Sequence, residues 1–419
     1  MLMSHFNNTE EPFALTAFGM TFYVVTQAKH SAEVYKNTET LSFEGFVQGL
    51  MRINGNNEHA IRVMYNALPS DKQGFPNPHA DNLAIEVLAE TCNYAVMKDA
   101  TQIEVPLYQW TSELFVQLGQ QVYFGETLAK IDPKVHQSFL VFDELIWKIL
   151  YQYPSFLSGD MAAGRGEVVA ALGKYLRTPK AERSDAAWII SAMEDEMVSL
   201  GVGVEDMAII IFHLYIAINT NTRKTIFWVI TYLLHNPTLL AIFRKETEPA
   251  FDGDVLVDPF YFQDPAKCPQ VDAIWHETLR MVGWSASIRL ITKDTVIGGK
   301  LMREGNRVMV PHRLQHFDET VFGEETHVFR PERWLNGKGL SRSPSWHPFG
   351  AGKTLCSGRF LARYSVTAFV ATVLRRFDLE MVGNPQFPQA DEGRPVLGII
   401  SIKEGHDYNV RLTARNYIT

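Results

Sequence analysis

One segment, residues 204–234, limits the folds open to this chain more than any other. It is predicted as a single long helix that ends at His235-Asn236-Pro237, and its stretches 207–218 and 226–234 are apolar on nearly every face. A helix of that kind belongs in the middle of a protein, because every face needs an apolar neighbour. Between the two stretches lies the polar run Asn-Thr-Asn-Thr-Arg-Lys at 219–224. Burying polar groups costs free energy, so this run is either exposed or functional.

The rest of the chain predicts a single domain over residues 1–419 that is mainly α with small β-sheets. No internal repeat, low-complexity segment or long linker divides it, and helical periodicity dominates residues 82–240. The other predicted elements are a hairpin across Gly19, a helix at 268–282, strands at 294–297, 300–302 and 307–310, a helix at 356–377 and a hairpin around Gly405.

Composition and charge narrow the class of protein. With 46% apolar and 21% charged residues, the chain sits at the globular average, which excludes disordered, collagen-like and coiled-coil proteins. The net charge of −8 and the lack of a basic cluster argue against nucleic acid as a partner. Three separated cysteines, Cys92, Cys268 and Cys356, form no disulfide framework and fit a reducing compartment. No signal peptide or bilayer-length apolar run is present, so we expect the chain as written to be soluble.

The strongest chemical signal is a glycine-rich loop that leads into a predicted helix with Cys356 at its start. The loop reads Phe-Gly-Ala-Gly-Lys-Thr-Leu-Cys-Ser-Gly over residues 349–358. Glycines permit positive φ angles and leave room for a large group to approach. Backbone N–H groups at a helix start stabilise a thiolate, and a shielded thiolate is what thiolate-ligated haem iron requires. For this motif alone, a buried free cysteine beside a tight turn stays an open alternative.

Two further motifs bring acidic and basic side chains together. Glu277 and Arg280 lie three residues apart on one face of a helix that also carries apolar residues, so burial of the pair is plausible on sequence grounds. A buried arginine needs more than one acceptor, which predicts a network. The sequence Phe-Arg-Pro-Glu-Arg-Trp at 329–334 supplies Arg333 as a further member of it. A solvated surface pair is the alternative.

In this order along the chain, the three motifs resemble those of the cytochrome P450 family of haem-thiolate oxygenases. The resemblance covers nearly the whole chain from Phe13 onward. It implies the family's triangular, mostly helical prism with a small β-rich lobe around a buried haem b. It also implies that Cys356 is the axial iron ligand and that Glu277, Arg280 and Arg333 form the structural triad.

The same resemblance implies further contacts to the cofactor. The loop residues that it places against the haem are Phe349, Gly350, Gly352, Lys353 and Gly358. Arg289 lies where the family commonly has a partner for a haem propionate, and a guanidinium suits a carboxylate; a surface arginine is the alternative. The family usually has Arg or His two residues before the cysteine, where this chain has Thr354, so Lys353 is expected to serve instead.

The long helix matches the family's distal helix, but two of its usual features are changed. Thr222 keeps the expected hydroxyl, whereas Asn221 replaces the acid, and Ile218 and Asn219 replace the small pair. An amide does not titrate near neutral pH and cannot shuttle protons as a carboxylate does. Either Thr222 and Asn221 hold a water chain that carries the protons, or the enzyme rearranges an already oxygenated substrate without activating O2. The segment most resembles the branch of cholesterol 7α-hydroxylase and prostacyclin synthase, which contains both behaviours.

Helix geometry and the resemblance together predict the substrate pocket. Leu214, Ala217 and Ile218 share a helix face with Thr222. The segment with Ser285, Ser287 and Ile288 lies where the family lines its cavity. Apolar walls with a few hydroxyls suit a bulky, largely apolar small molecule of terpenoid, steroid or alkaloid type, as in secondary metabolism. Plain core packing is the alternative for each of these side chains.

The implied activity is a monooxygenase that uses O2 and electrons from NADPH. We expect a reductase to deliver the electrons on the proximal side near Cys356, where Arg359 and Arg363 begin a basic patch. Because the membrane anchor of eukaryotic members is missing from this sequence, we expect an endoplasmic-reticulum enzyme whose anchor is removed, or a soluble cytoplasmic one. The alternatives are a haem-thiolate isomerase or dehydratase and a haem-binding protein without turnover.

Overall fold

The structure is a computed structural model that describes residues 10–17, 19–66, 102–150, 153–335 and 339–415. Cys92 and the first part of the predicted helical region, residues 82–101, lie outside the described residues. Within the described ranges, helices predominate and the sheets are small, which confirms the fold class mainly α with small β-sheets.

The helices range from single turns to one that crosses the whole molecule. They are α1 (Ala28–Lys36), α2 (Glu44–Asn54), α3 (Glu58–Asn66), α4 (Leu107–Ile131), α5 (Val135–Leu145), α6 (Trp147–Leu150), α7 (Gly159–Arg177), α8 (Trp188–Ser199), α9 (Val204–Leu234), α10 (Pro237–Thr247), α11 (Pro269–Val282), α12 (His312–His316), α13 (Glu319–Phe322), α14 (Glu332–Leu335) and α15 (Arg359–Arg376).

The strands are short. They are β1 (Phe13–Ala17), β2 (Met20–Val24), β3 (Leu41–Ser42), β4 (Gln102–Pro106), β5 (Phe251–Asp252), β6 (Val255–Leu256), β7 (Ala286–Ile291), β8 (Thr295–Ile297), β9 (Lys300–Met302), β10 (Arg307–Pro311), β11 (Phe377–Met381) and β12 (Asn409–Ala414). The largest sheet has the order β1-β2-β10-β7-β3.

Helix α9 is the central element, and both of its ends lie where the sequence predicted them. It begins after Gly203, which has an extended backbone conformation, and it ends before Asn236, which caps the next helix. It packs against α4, α7, α11 and α15, and most of its residues are buried. Among the described helices, none alone is long and apolar enough to cross a bilayer, and the pair α9 and α10 that meets the test together is bent by 116°.

Two of the predicted hairpins form as expected, one within the largest sheet and one as a separate two-stranded sheet. Strands β1 and β2 pair antiparallel with Phe13 opposite Val24, and β8 pairs with β9. Strand β10 joins β2 in parallel and β7 antiparallel, with Val308 opposite Arg289. Residues of β7 in this sheet line a large cavity that residues of α9 also line.

The predicted hairpin around Gly405 is wrong. Gly405 does lie in a turn, with φ +78°, but strand β12 beyond it pairs with β11 and β4. The residues before the turn have other partners, because Ile399 bridges to Gly283 and Ile402 to Ala390. The long connection between β11 and β12 is therefore free to fold back onto α9 and α11.

Candidate active site

A single cavity of about 2480 Å³ lies between α9, the cysteine loop, strand β7 and the connection between β11 and β12. Its wall contains Cys356 from the loop and Thr222 from α9, so the two places that the sequence predicted for chemistry open into the same space. The cavity also reaches α2 and α4, through side chains such as Leu50 and Phe115.

The cysteine loop is bent by glycines at the two positions where the backbone needs them. Gly350 and Gly352 have φ of +74° and +67°, a region that other residues rarely enter. At Gly352, a Cβ atom would stand 2.9 Å from the carbonyl oxygen of Tyr35, so the loop also passes too close to α1 for a side chain. The N–H of Cys356 donates to the carbonyl of Phe349 at 3.0 Å, which closes the loop on itself.

The helix predicted at 356–377 begins three residues later than expected, at Arg359. Cys356 lies in the loop before it, because its N–H is bonded back to Phe349 rather than facing the helix axis. Of the loop residues predicted against a cofactor, Cys356, Phe349, Gly350 and Gly358 line the cavity. Gly352 and Lys353 do not contribute to its wall, and Lys353 is exposed to solvent.

Arg289 is a buried cation in the wall of the cavity, with only 6% of its surface exposed. Its guanidinium donates to the carbonyl of Ile288 at 2.9 Å and to the hydroxyl of Thr354, and it lies 4.8 Å from the ring centre of Phe43. Among the described residues, no carboxylate lies within ion-pair distance of it. Burial lowers the pKa of Arg289 below its ordinary value, so an anion bound beside it would relieve an unfavourable charge.

The structure brings the three predicted triad residues together. Glu277 and Arg280 are fully buried and joined by two hydrogen bonds of 2.7 and 2.8 Å, and Arg333 lies 3.5 Å from the same carboxylate. Sequence reasoning missed the indole N–H of Trp334, which donates to Glu277 at 2.9 Å. Trp334 is the last residue of the 329–334 motif, so the motif already contained this further donor to Glu277.

On helix α9, the residues predicted for catalysis and for the pocket all face the cavity. Leu214, Ala217, Ile218, Asn221 and Thr222 are part of its wall. The hydroxyl of Thr222 donates to the carbonyl of Ile218 at 2.9 Å, which fixes its rotamer and leaves its lone pairs as acceptors. The side-chain oxygen of Asn221 accepts a hydrogen bond from the N–H of Ile399 at 2.9 Å.

Ser285, Ser287 and Ile288 line the opposite wall. Both hydroxyls contact the ring of His312, Ser285 at Nδ1 (3.1 Å) and Ser287 at Nε2 (3.0 Å). Burial, together with the nearby His347 and Arg289, lowers the pKa of His312 to about 3, so its ring is neutral at physiological pH. Sequence reasoning missed His312, because it lies 25 residues beyond Ser287 and is brought to it only by the β7–β10 pairing.

The polar run of α9 divides between two sides of the helix. Asn221 and Thr222 line the cavity, whereas Thr220, Arg223 and Lys224 are buried on the other side, so the interpretation of this run as exposed is wrong. Arg223 and Lys224 form ion pairs with Asp143 of α5, and Arg223 also pairs with Glu144. We call these four side chains the buried ion cluster. Hydroxyl groups of α4 and α9 complete it, namely those of Tyr108, Ser112 and Thr220. Burial raises the pKa of Asp143, but Lys224 and Arg223 outweigh it and lower that pKa to about 2.

The residues around the cavity fit a haem. Cys356 offers a thiol in the wall, Gly350 and Gly358 leave the space beside it open, and Arg289 is a buried cation that lacks an anionic partner among the described residues. A haem propionate is such an anion. The mainly helical fold and this site define a haem-thiolate enzyme.

The chain belongs to the cytochrome P450 family, because the family model "Cytochrome P450" matches residues 13–410. The chain is therefore a P450 enzyme, and a haem iron with a thiolate ligand is the cofactor that the family implies.

The relatives with similar sequences include cytochrome P450 proteins of fungi. The chain is 24% identical to the cytochrome P450 monooxygenase poxD of Penicillium oxalicum, over 89% of this chain and 81% of that protein. It is 22% identical to the cytochrome P450 monooxygenase nodJ of Hypoxylon pulicicidum, over 90% of this chain and 79% of that one. A self-sufficient cytochrome P450 monooxygenase of Penicillium freii is 37% identical over 43% of this chain, which corresponds to 17% of that longer protein.

Proposed function

We propose that this protein is a haem-thiolate monooxygenase that hydroxylates or otherwise oxidises a bulky, largely apolar small molecule. The observation that carries the proposal is the large cavity in which the Cys356 thiol, the Thr222 hydroxyl and apolar side chains share one space. The relatives named cytochrome P450 monooxygenase support the same reaction type. Residues 1–419 act as one catalytic domain.

In this proposal Cys356 would supply the thiolate ligand of the haem iron, and Arg289 with Thr354 would hold a propionate. A haem b bound there would supply the reductive activation of O2, which a thiolate ligand favours. Phe349 and the open space at Gly350 and Gly358 support the ring on the thiol side. Because Lys353 is exposed and lies outside the wall, Thr354 is the better candidate for the second polar contact.

Thr222 and Asn221 organise the protons that the reaction consumes. The proton of the Thr222 hydroxyl is donated to the carbonyl of Ile218, so its oxygen is left to accept a hydrogen bond from a water. The oxygen of Asn221 accepts the N–H of Ile399, and its Nδ2 group can act only as a donor. We infer that these two side chains hold a chain of waters that carries protons from the solvent, in place of the carboxylate usual in the family.

The cavity walls favour an apolar substrate with a few oxygen atoms. Leu214, Ala217, Ile218 and Ile288 supply apolar surface, and the hydroxyls held by His312 supply the polar contacts. A terpenoid, a steroid or an alkaloid of secondary metabolism has this mixture. The relatives from filamentous fungi are consistent with such chemistry.

Electrons come from NADPH through a separate reductase that docks beside the cysteine loop. Arg359, Lys353 and the exposed Phe360 lie on that side of the chain. The charge of Arg363 is compensated by Asp272 at 2.8 Å, so the basic patch is smaller than its sequence suggested. We place the enzyme at the cytosolic face of the endoplasmic reticulum, where exposed Phe156 and Leu157 next to the cavity-lining Pro154 would meet the membrane surface.

A second candidate function rests on Asn221. In place of an acid, the cavity has an amide whose oxygen is already engaged, which suits an isomerase or dehydratase that rearranges an oxygenated substrate without activating O2. The resemblance of the distal helix to the branch of cholesterol 7α-hydroxylase and prostacyclin synthase is compatible with both reactions.

One experiment separates the two candidates. Purified protein is incubated with a small-molecule extract of its host, with and without NADPH and a P450 reductase, and masses are followed. We expect a product one oxygen heavier, or two hydrogens lighter, that forms only with the electron supply. A product of unchanged mass that forms without electrons would overturn the monooxygenase proposal in favour of the isomerase.

A further inference from the structure

Asn221 connects helix α9 to the segment around Ile399, which forms another part of the cavity wall. Its Oδ1 atom accepts a hydrogen bond from the N–H of Ile399, 178 residues further along the chain, at 2.9 Å. Residues 393–399, which we call the wall loop, all line the cavity. This hydrogen bond therefore joins two walls that face the same space.

The wall loop lies so close to Asn221 that only a glycine fits at position 398, next to Ile399. A Cβ atom on Gly398 would stand 2.3 Å from Oδ1 of Asn221 and 2.6 and 2.7 Å from its Cγ and Nδ2 atoms. Side-chain atoms do not approach one another to such distances. The backbone of the wall loop is therefore in direct contact with the Asn221 amide.

The other hydrogen bonds of this segment leave the N–H of Ile399 to Asn221. Trp284 donates its N–H to the carbonyl of Gly398 at 2.8 Å, and the N–H of Ile400 donates to Val282 at 3.0 Å. These two bonds form the bridge between Ile399 and Gly283. In an antiparallel bridge of this kind, the N–H of Ile399 points away from Gly283, and here Asn221 receives it.

We propose that Asn221 is a positioning residue that fixes the wall loop to helix α9, and thereby sets the shape of the cavity that the substrate must fit. Val396 and Leu397 of the wall loop are among the residues that line the cavity. A loop held at one point in the middle of the cavity presents those side chains in one arrangement. This inference rests on the proposed function only in identifying the cavity as the substrate site.

The amide and a carboxylate differ in a way that makes the inference testable. Asp at position 221 accepts the same hydrogen bond from Ile399, so Asn221→Asp keeps the connection. Asn221→Ala removes it, and Gly398→Ala pushes the loop away from the helix without changing α9. The first variant is the matched control for the other two.

The first measurement is hydrogen–deuterium exchange of the peptide that contains Ile399, in the haem-loaded protein. We expect the loss of one hydrogen bond in Asn221→Ala to raise the exchange rate of the Ile399 amide about 5-fold. Gly398→Ala should also raise this exchange rate. Asn221→Asp stays at the wild-type rate. Equal exchange in wild type and Asn221→Ala, or equal acceleration in Asn221→Asp, would overturn the inference.

The second measurement is optical titration of the haem-loaded protein with econazole, a bulky imidazole, and with imidazole itself. We expect Asn221→Ala to weaken econazole binding about 10-fold, because the loop must then be ordered on binding, while imidazole affinity stays unchanged. Asn221→Asp restores econazole affinity. An unchanged ratio of the two affinities in Asn221→Ala would show that the contact does not shape the cavity. Wild-type protein without a haem spectrum would instead contradict the proposed function, and the exchange measurement would then be made on the haem-free protein, where it tests the contact alone.

Discussion

Arg223 of helix α9 and Asp143 of helix α5 form an ion pair from which water is almost excluded, with 1% and 0% of their side chains exposed. The Nε atom of Arg223 lies 3.0 Å from the Asp143 carboxylate, and Thr220 donates to the same carboxylate at 2.6 Å. Removing one partner of such a pair leaves the other charge buried without compensation, which costs far more than the pair contributes when it is complete.

We therefore expect Arg223→Met to lower the free energy of unfolding by about 3–5 kcal/mol. Urea denaturation of the haem-loaded protein measures this loss of stability. Arg411→Met is the control, because its partner Glu104 is 3.4 Å away on the exposed face of the β4–β12 pair, and a pair of that kind contributes about 0–1 kcal/mol. Similar losses in the two variants would contradict the assignment of a buried, water-free ion pair between Arg223 and Asp143.

His312 makes stability depend on pH. The pKa of this imidazole is lowered to about 3 by burial and by the charges of His347 and Arg289, against an ordinary value near 6.5. As the pH falls from 7 to 5, the unfolded chain takes up a proton here and the folded protein does not. The free energy of unfolding therefore falls by about 2 kcal/mol over this range from His312 alone.

The variant His312→Gln tests this origin of the pH dependence. Its loss of stability between pH 7 and 5 should be smaller than that of wild type by the same amount, as measured by urea denaturation at both pH values. Part of the dependence stays, because burial also lowers the pKa of His316 and His347. Parallel pH profiles for variant and wild type would exclude a neutral His312 in the fold.

Cys356→Ala should abolish the thiolate signature in the carbon monoxide difference spectrum of the reduced protein. Cys268→Ala is the matched control, and its spectrum should be that of wild type. Cys268 is buried at the start of α11, and burial raises its thiol pKa to about 11, so it cannot supply a thiolate instead. A retained signature in Cys356→Ala would mean that the axial ligand is wrongly assigned.

Arg289→Met should release haem faster than wild type. A hydrogen bond to a charged group contributes about 1.5–3 kcal/mol, which corresponds to roughly a 10- to 100-fold faster loss. Transfer of haem to an excess of apomyoglobin measures the rate. Arg307→Met serves as the comparison, because Arg307 also lines the cavity but contacts Met20 and Phe22 of β2. If both variants release haem alike, Arg289 does not hold a propionate.

The sequence predicted the parts of the fold whose signals are local. Helix α9 lies where expected because its apolar pattern is continuous and because Gly203 and Asn236 mark its ends. The start of α15 was misplaced, since the bond from Cys356 to Phe349 that keeps the cysteine in the loop leaves no trace in a propensity pattern.

The parts of the site that depend on distant contacts could not be predicted. Nothing near position 221 indicates Ile399 as its partner, and the wall loop itself has no periodicity that would mark it as part of a cavity. The sequence could not show whether the polar run of α9 is buried. Its cations are buried because they pair with Asp143 and Glu144, which lie on a helix about 80 residues earlier in the chain.

The two faces of helix α9 have separate roles, one in shaping the cavity and one in stabilising the fold. Ala217 and Ile218 face the cavity, whereas Thr220 and Arg223 face the buried ion cluster on the other side. Changes at the first pair alter which molecules fit without touching the charges that hold α5 and α9 together. During evolution, single substitutions on the cavity face can therefore change the substrate of the enzyme while the contacts between α5 and α9 are kept.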